Sequence, residues 1–143
     1  MGMDPFDFAD AMLGILAQRL ARRLCNECKE PYHPTRDEHR ELVEAYGAQQ
    51  FKEDELPKFS KDLTLMKAVG CDACEGQGYS GRIAVHELLV NSAEIKRAIK
   101  QNSGVEAITE LAMAQGMRNL RMDGIQKIFL GLTDLPQVNK VSA

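Results

Sequence analysis

Apolar positions recur at helical spacing through the first 24 residues, where Phe6, Ala9, Leu13, Leu16, Leu20 and Leu24 form one stripe. Asp4-Pro5 ahead of it supplies an N-cap and a proline suited to a first turn. Asp4, Asp7 and Asp10 at one end and Arg19, Arg22 and Arg23 at the other complement a helix dipole. The pattern predicts one long helix over 1–24. Pro31-Tyr32-His33-Pro34 then stops helix. A second helix begins at Thr35, where Thr35-x-x-Glu38 has the form of a capping box, and runs to about Tyr46 before Gly47. His39 sits among charged residues and reads as solvated. From Gln49 to Asp62 the sequence is charged and contains Pro57, a surface excursion anchored by Phe51, Leu56 and Phe59 and expected to be mobile.

Leu63–Val69 and Arg82–Val90 are short strand candidates. Gly76, Gly78 and Gly81 between them supply turns, and the economical pairing is these two strands with each other. Helical periodicity then returns three times. Ser92 opens a helix carrying Ile95, Ala98 and Ile99. Val105, Ile108, Leu111 and Ala112 mark the next, which ends at Gly116, and Asn119 to Phe129 the third. Thr133 caps a last turn around Leu135 and Val138. The fold class expected is α+β and mostly helical: a small antiparallel β-pair and a four-cysteine site, followed by a C-terminal helical bundle. The expected divisions are 1–24, 25–90 and 91–143.

Composition narrows the function classes. The chain has 143 residues, no tryptophan and a net charge of −3, so its core is aliphatic and methionine-rich. It has no general electrostatic reason to hold nucleic acid. The arginines at 19, 22 and 23 read as a dipole-matched, solvated helix end. No apolar run approaches the roughly 18 residues of a membrane span.

The four cysteines change the picture most. They form two C-x-x-C turns, Cys25–Cys28 and Cys71–Cys74, with 42 residues between. One such turn offers two sulfurs to one ion, and two turns complete the tetrahedral shell that Zn2+ prefers, at about 2.3 Å per sulfur. A closed shell leaves no position for water or substrate, so the zinc expected on Cys25, Cys28, Cys71 and Cys74 is structural. The usual spacer is about 15–20 residues, so something folded must sit inside this loop. Disulfides suit a secreted chain, and no signal peptide is evident. A redox pair needs only one motif. His33 and His86 lie close enough in sequence to offer a Cys3His variant. Basic residues before Cys25 would offset the net charge of about −2 on a four-thiolate zinc centre. Reduced cysteines without a signal point to the cytoplasm.

Catalytic motifs are absent from the sequence. It contains no Gly-Lys dipeptide, no Gly-x-Ser-x-Gly and no His-Glu-x-x-His. The glycines at 76, 78 and 81 lack the spacing of a phosphate cradle. His86-Glu87 sets a base beside an acid, but neighbours on a strand face opposite sides. No catalytic or nucleotide-binding residue is expected.

The motifs together resemble a known family. Ala17-Gln18-Arg19-Leu20-Ala21-Arg22-Arg23-Leu24-Cys25-x-x-Cys28-Lys29-x-Pro31-Tyr32 is similar to the run entering the tetracysteine motif of type II secretion and type IV pilus assembly ATPases. The similarity continues in Gly70-Cys71-x-x-Cys74-x-x-x-Gly78-Tyr79-x-Gly81-Arg82, Val85-His86-Glu87-Leu88-Leu89 and Ala114-Gln115-Gly116-Met117-x-x-Leu120-x-x-Asp123-Gly124. Gln77 stands where Thr is usual in that family, and Ala84 where Gly is common. The resemblance implies a C-terminal portion, with the first helix continuing from an ATPase core elsewhere in the parent, where ATP and Mg2+ would bind. It implies cytoplasmic hexamers at the inner face of the inner membrane, partnered by the rest of the chain, by neighbouring subunits and by an inner-membrane platform protein. Stand-alone zinc modules are the rivals. Cys71-x-x-Cys74-x-Gly76-x-Gly78 matches one DnaJ-type repeat, but Cys25–Glu30 lacks both glycines. A zinc ribbon would predict a basic face.

Overall fold

The computed structural model describes residues 14–142. Four strands, β1 (Gly14–Leu24), β2 (Glu30–Tyr32), β3 (Leu65–Lys67) and β4 (Tyr79–Val90), precede or interleave with six helices. These are α1 (Arg36–Tyr46), α2 (Ala48–Glu53), α3 (Ala93–Lys100), α4 (Val105–Ala114), α5 (Leu120–Phe129) and α6 (Leu135–Ser142). The class is α+β and mostly helical, as the patterning predicts.

The predicted first helix does not hold over the described part of 1–24. Over Gly14–Leu24 the chain is a strand, and the expected N-cap at Asp4-Pro5 with Phe6 and Ala9 lies outside the described residues. A spacing of four explains the misreading. Leu16, Leu20 and Leu24 stand one above another on a helix, yet residues an even number apart also share a face of a strand. Pairing decides between the two. β1 hydrogen-bonds to β4, and Leu16 and Leu20, which a helix would bury, are 60% and 51% exposed.

The expected pairing of Leu63–Val69 with Arg82–Val90 is also corrected. β3 pairs instead with β2, antiparallel, with Glu30 opposite Lys67, Pro31 opposite Met66 and Tyr32 opposite Leu65. The segment Pro31-Tyr32-His33-Pro34 stops helix as expected, but its first residues also serve as a short edge strand, where proline is tolerated.

Two compact units divide the chain. The larger comprises 18–86 and 120–143. Within it α1 starts from the predicted capping box: Thr35 Oγ1 accepts from the Glu38 N–H at 3.1 Å, and the Thr35 N–H donates to Glu38 Oε1 at 2.9 Å. The inward face of α1 carries His39, Leu42 and Tyr46, all buried. His39 is therefore not solvated. Its ring packs edge-on against Phe51, Phe59 and Phe129, and its Nε2 lies 2.8 Å from the Pro57 carbonyl. The spacing 39-42-46 is the helical period on which the buried face runs, and the charges around it occupy the other face. The same aromatic cluster fastens the Gln49–Asp62 excursion, part of which is helix α2 with Phe51 buried. Ile125, Ile128 and Met122 of α5 and Val138 of α6 complete the core. At Gly124 a Cβ would lie 2.6 Å from Val138 Cγ1, so the close approach of α5 and α6 requires glycine there.

The smaller unit comprises 1–17 and 87–119, described from residue 14. Helix α3 is capped by Ser92, whose Oγ accepts from the Ile95 N–H at 3.1 Å. It packs on α4 around Ile95 and Ala112, with Leu89, Ile99, Ile108, Leu111 and Met117 half-buried beside them. The C-terminal helices thus occur in the expected order but divide: α3 and α4 belong to this unit, α5 and α6 to the larger one. No helix among the described residues is long and apolar enough to cross a membrane.

Candidate metal centre

The first C-x-x-C turn is positioned by a strand rather than a helix. Leu24, fully buried at the end of β1, donates its N–H to the Leu132 carbonyl at 2.9 Å. Cys25 follows, and its carbonyl accepts from the N–H groups of Cys28 and Lys29 at 3.4 and 2.9 Å, closing the turn. The second turn is a single 3-10 turn over Asp72–Cys74, in which the Cys71 carbonyl accepts from Cys74 and Gly76. One backbone bond ties the turns together, from the Cys25 N–H to the Gly78 carbonyl at 3.0 Å. Gly78 has φ +84°, and a Cβ there would lie 2.8 Å from Cβ of Ala68. A side chain at 78 would be strained and would also push the knuckle off the strand β3 connection.

These turns bring all four Sγ atoms within 4.8 Å of one another. The separations are 3.9 Å for Cys25–Cys71, 3.8 Å for Cys28–Cys74 and 3.8 Å for Cys71–Cys74. A regular tetrahedron with metal–sulfur bonds of about 2.3 Å has edges of about 3.8 Å. The donor set and its spacing therefore fit a four-coordinate soft cation. Cys25 and Cys74 are buried and Cys28 and Cys71 are half-buried, with no disulfide among them.

The surrounding amides already favour thiolate. Gly70 donates its N–H to Cys28 Sγ at 3.3 Å, and the N–H groups of Cys71 and Gly78 donate to Cys74 Sγ at 3.2 and 3.1 Å. Burial pushes the Cys28 thiol up to about 12, against the single Gly70 N–H and with the three neighbouring thiols. Burial pushes the Cys74 thiol up as well, but its two amide donors and the thiols of Cys71 and Cys28 outweigh it and bring it down to about 6. A metal bound here would have to displace the thiol protons, since only thiolate sulfur ligates it. Lys29 reaches across to the Gly131 carbonyl at 2.9 Å. Arg22 lies over the Tyr79 ring, 5.2 Å from its centroid, and donates to the Gln77 side chain beside the second turn.

The remaining sequence candidates sit elsewhere. His33 Nδ1 lies 2.9 Å from the Leu63 carbonyl, and His86 faces Asp123, whose carboxylate accepts the His86 backbone N–H at 2.8 Å. Neither joins the cysteine cluster. The glycines at 76, 78 and 81 all have positive φ, in keeping with turns. Ala84, the departure from the family pattern, does not have positive φ, so glycine is not needed there. Sequence reasoning did not single out the backbone donors at 70 and 78. The signal was present in the glycine that precedes Cys71 and the one four residues after Cys74.

Comparison with known proteins places the chain in a family. Residues 1–140 match the family described as Type II/IV secretion system protein. The type IV pilus assembly ATPase PilB of Thermus thermophilus is 39% identical over 96% of this chain and 14% of its own length. The type II secretion system protein HxcR of Pseudomonas aeruginosa is 38% identical over 99% of this chain and 24% of its own. The type II secretion system ATPase E of Vibrio cholerae is 35% identical over 99% of this chain and 25% of its own. The chain thus spans a quarter or less of the length of these relatives. A match along nearly all its residues, with both C-x-x-C turns brought together in space, makes this chain a member of the Type II/IV secretion system protein family.

Proposed function

We propose that this chain is the C-terminal, zinc-stapled portion of a motor ATPase of type II secretion or type IV pilus assembly. The observation that carries the reading is the four-sulfur cluster at tetrahedral spacing, within a chain matched to the family over 1–140. Cys25, Cys28, Cys71 and Cys74 would hold the ion, and Zn2+ would supply a closed, redox-silent coordination shell. Three backbone amides orient and stabilise two of the thiolates. The chain's own contribution is then mechanical: a staple between β1 and the turn before β4 that gives the larger unit a fixed shape. In the parent protein, ATP hydrolysis in a separate core would be passed through this rigid piece to neighbouring subunits of a cytoplasmic hexamer and to an inner-membrane platform protein. The chain alone carries no phosphate-cradling loop with its lysine and would turn over no ATP. Family membership counts against the chaperone-type and zinc-ribbon alternatives.

Metal analysis after purification without added zinc tests the staple. About one equivalent per chain is expected from one four-sulfur shell, and cobalt substitution should give the spectrum of a tetrahedral tetrathiolate. Fully folded, metal-free protein would overturn the reading. A phosphate-release assay tests the second part, and Mg2+-dependent turnover that co-purifies at constant specific activity would refute it.

A further inference from the structure

The larger unit contains a second feature, remote in chemistry from the cysteines. A cavity of about 280 Å³ opens between β2, β3, α1 and α6, and its lining includes the apolar Leu42 and Met66, the Tyr32 ring and the carboxylates of Glu38, Glu41 and Asp134. No lysine, arginine or histidine lines it. Among the described residues, neither the Glu41 carboxylate nor the Tyr32 hydroxyl has a hydrogen-bond or ion-pair partner. Glu38 accepts only the capping bond from the Thr35 N–H, and Asp134 accepts from the Gln137 N–H and the Tyr79 hydroxyl. The lining thus carries three carboxylates, those of Glu38 and Glu41 exposed and that of Asp134 half-buried, and no cationic side chain. Such a space concentrates negative potential, and Tyr32 registers it. Burial, then the charges of Glu38 and Asp134, hold its phenol above the ordinary value.

The lining selects among cations. The carboxylates do not converge as metal ligands do, and the cysteine cluster is the one set of described residues that draws together closely enough to hold an ion. A volume below the roughly 300–1,000 Å³ of small-molecule sites suits a single side chain. Apolar lining accepts an alkyl stem, an aromatic ring attracts a delocalised cation, and carboxylates accept its donors. We propose that this cavity is a docking pocket for an arginine side chain presented by another polypeptide.

The test is an NMR titration of the 143-residue chain with the blocked peptide Ala-Arg-Ala and with its citrulline analogue, which keeps the shape and removes the charge. The comparison variant is Glu38→Gln with Glu41→Gln. Glutamine preserves the capping box at position 38, and Glu41 is exposed, so the fold is retained. The arginine peptide should give saturable shifts confined to the signals of Tyr32, Leu42, Met66 and their neighbours. The citrulline peptide should give none, and the double variant should bind about threefold or more weakly, the worth of two partly screened charges. Equal binding of the citrulline peptide, shifts scattered over the acidic surface, or unchanged binding by the double variant would overturn the proposal.

Discussion

The two units differ in what holds them. In the larger, buried residues come from every element but β2: Leu24 and Val85 from the long strands, Leu42 and Tyr46 from α1, Phe51 from α2, Leu65 from β3, Met122, Ile125 and Ile128 from α5 and Val138 from α6. Four thiols sit at its edge, joining segments 42 residues apart in sequence. In the smaller, only Ile95 and Ala112 are fully buried among the described residues, and the rest of its apolar contacts are half-covered. Val105, at the start of α4, is 81% exposed. A small core buries too little to offset chain entropy by a wide margin. The metal would therefore strengthen the unit that already has the larger core, and the weaker unit would lie outside its reach.

The sharpest way to break this comparison is to remove the metal. Structural tetrathiolate sites contribute on the order of 10–16 kcal/mol of apparent binding free energy, as much as a typical domain's whole net stability of about 5–15 kcal/mol. Chelation, or Cys74→Ser, should abolish amide-exchange protection through 18–86. It should do so in α5 and α6 as well, because those helices share its core. Protection in α3 and α4 should change far less. If α5 and α6 stay protected while 25–90 opens, the sequence-based division at residue 91 describes the cooperative units better than the packing does.

The complementary change strikes the smaller unit. Ile95→Ala removes the one large side chain fully buried there among the described residues, a loss of about 2–5 kcal/mol. Protection in α3 and α4 should collapse, while metal content stays at its wild-type value. Loss of bound metal in that variant would mean that the two units stand or fall together. Gly124→Ala asks a smaller question of the larger unit. The added Cβ meets both methyl groups of Val138 at 2.6 and 2.9 Å, and overpacking of this kind costs about 1–3 kcal/mol. Thermal unfolding should shift down without loss of metal, and an unchanged midpoint would show that α6 moves aside freely.

The parts of this fold that were legible in the sequence are those with local rules. The capping box at Thr35, the helix boundaries near Ser92, Gly104 and Gly116, and each C-x-x-C turn by itself rest on chemistry within a few residues. What failed depended on partners far along the chain. Gly14–Leu24 has good helix formers and a spacing that serves either period, and only β4, more than 50 residues later, makes it a strand. The β2–β3 pairing was hidden because three residues ending at Pro31-Tyr32 carry no alternation to read. The burial of His39 was masked in the sequence by the charged residues around it, which occupy the other face of the same helix. The cavity around Tyr32 could not be found at all, since its walls come from segments about 100 residues apart.

The smallest effect sharpens the comparison in the weaker unit, and it depends on pH. Glu94 lies in the first turn of α3, and its Oε2 accepts from Gln115 Nε2 at 3.1 Å, a link from α3 to the end of α4. Its own backbone N–H, then Gln115, Ser92 and Arg97, hold its carboxyl below the ordinary value against an opposing push from burial. A folded-state pKa that is depressed stabilises the folded form above the unfolded value, and that contribution is lost as pH falls through the folded one. Acidification from neutral pH through the ordinary glutamate range of about 4.3 and below should therefore weaken α3 and α4 by this route. Glu94→Gln keeps a side chain of the same length and removes the charge. At pH 7 the variant should show slightly faster amide exchange in α3 and α4 than the wild type, and the difference should vanish once pH falls below the depressed value. A difference that persists unchanged at low pH would place the effect in packing rather than ionisation, and the polar link between the helices would then contribute nothing through its charge.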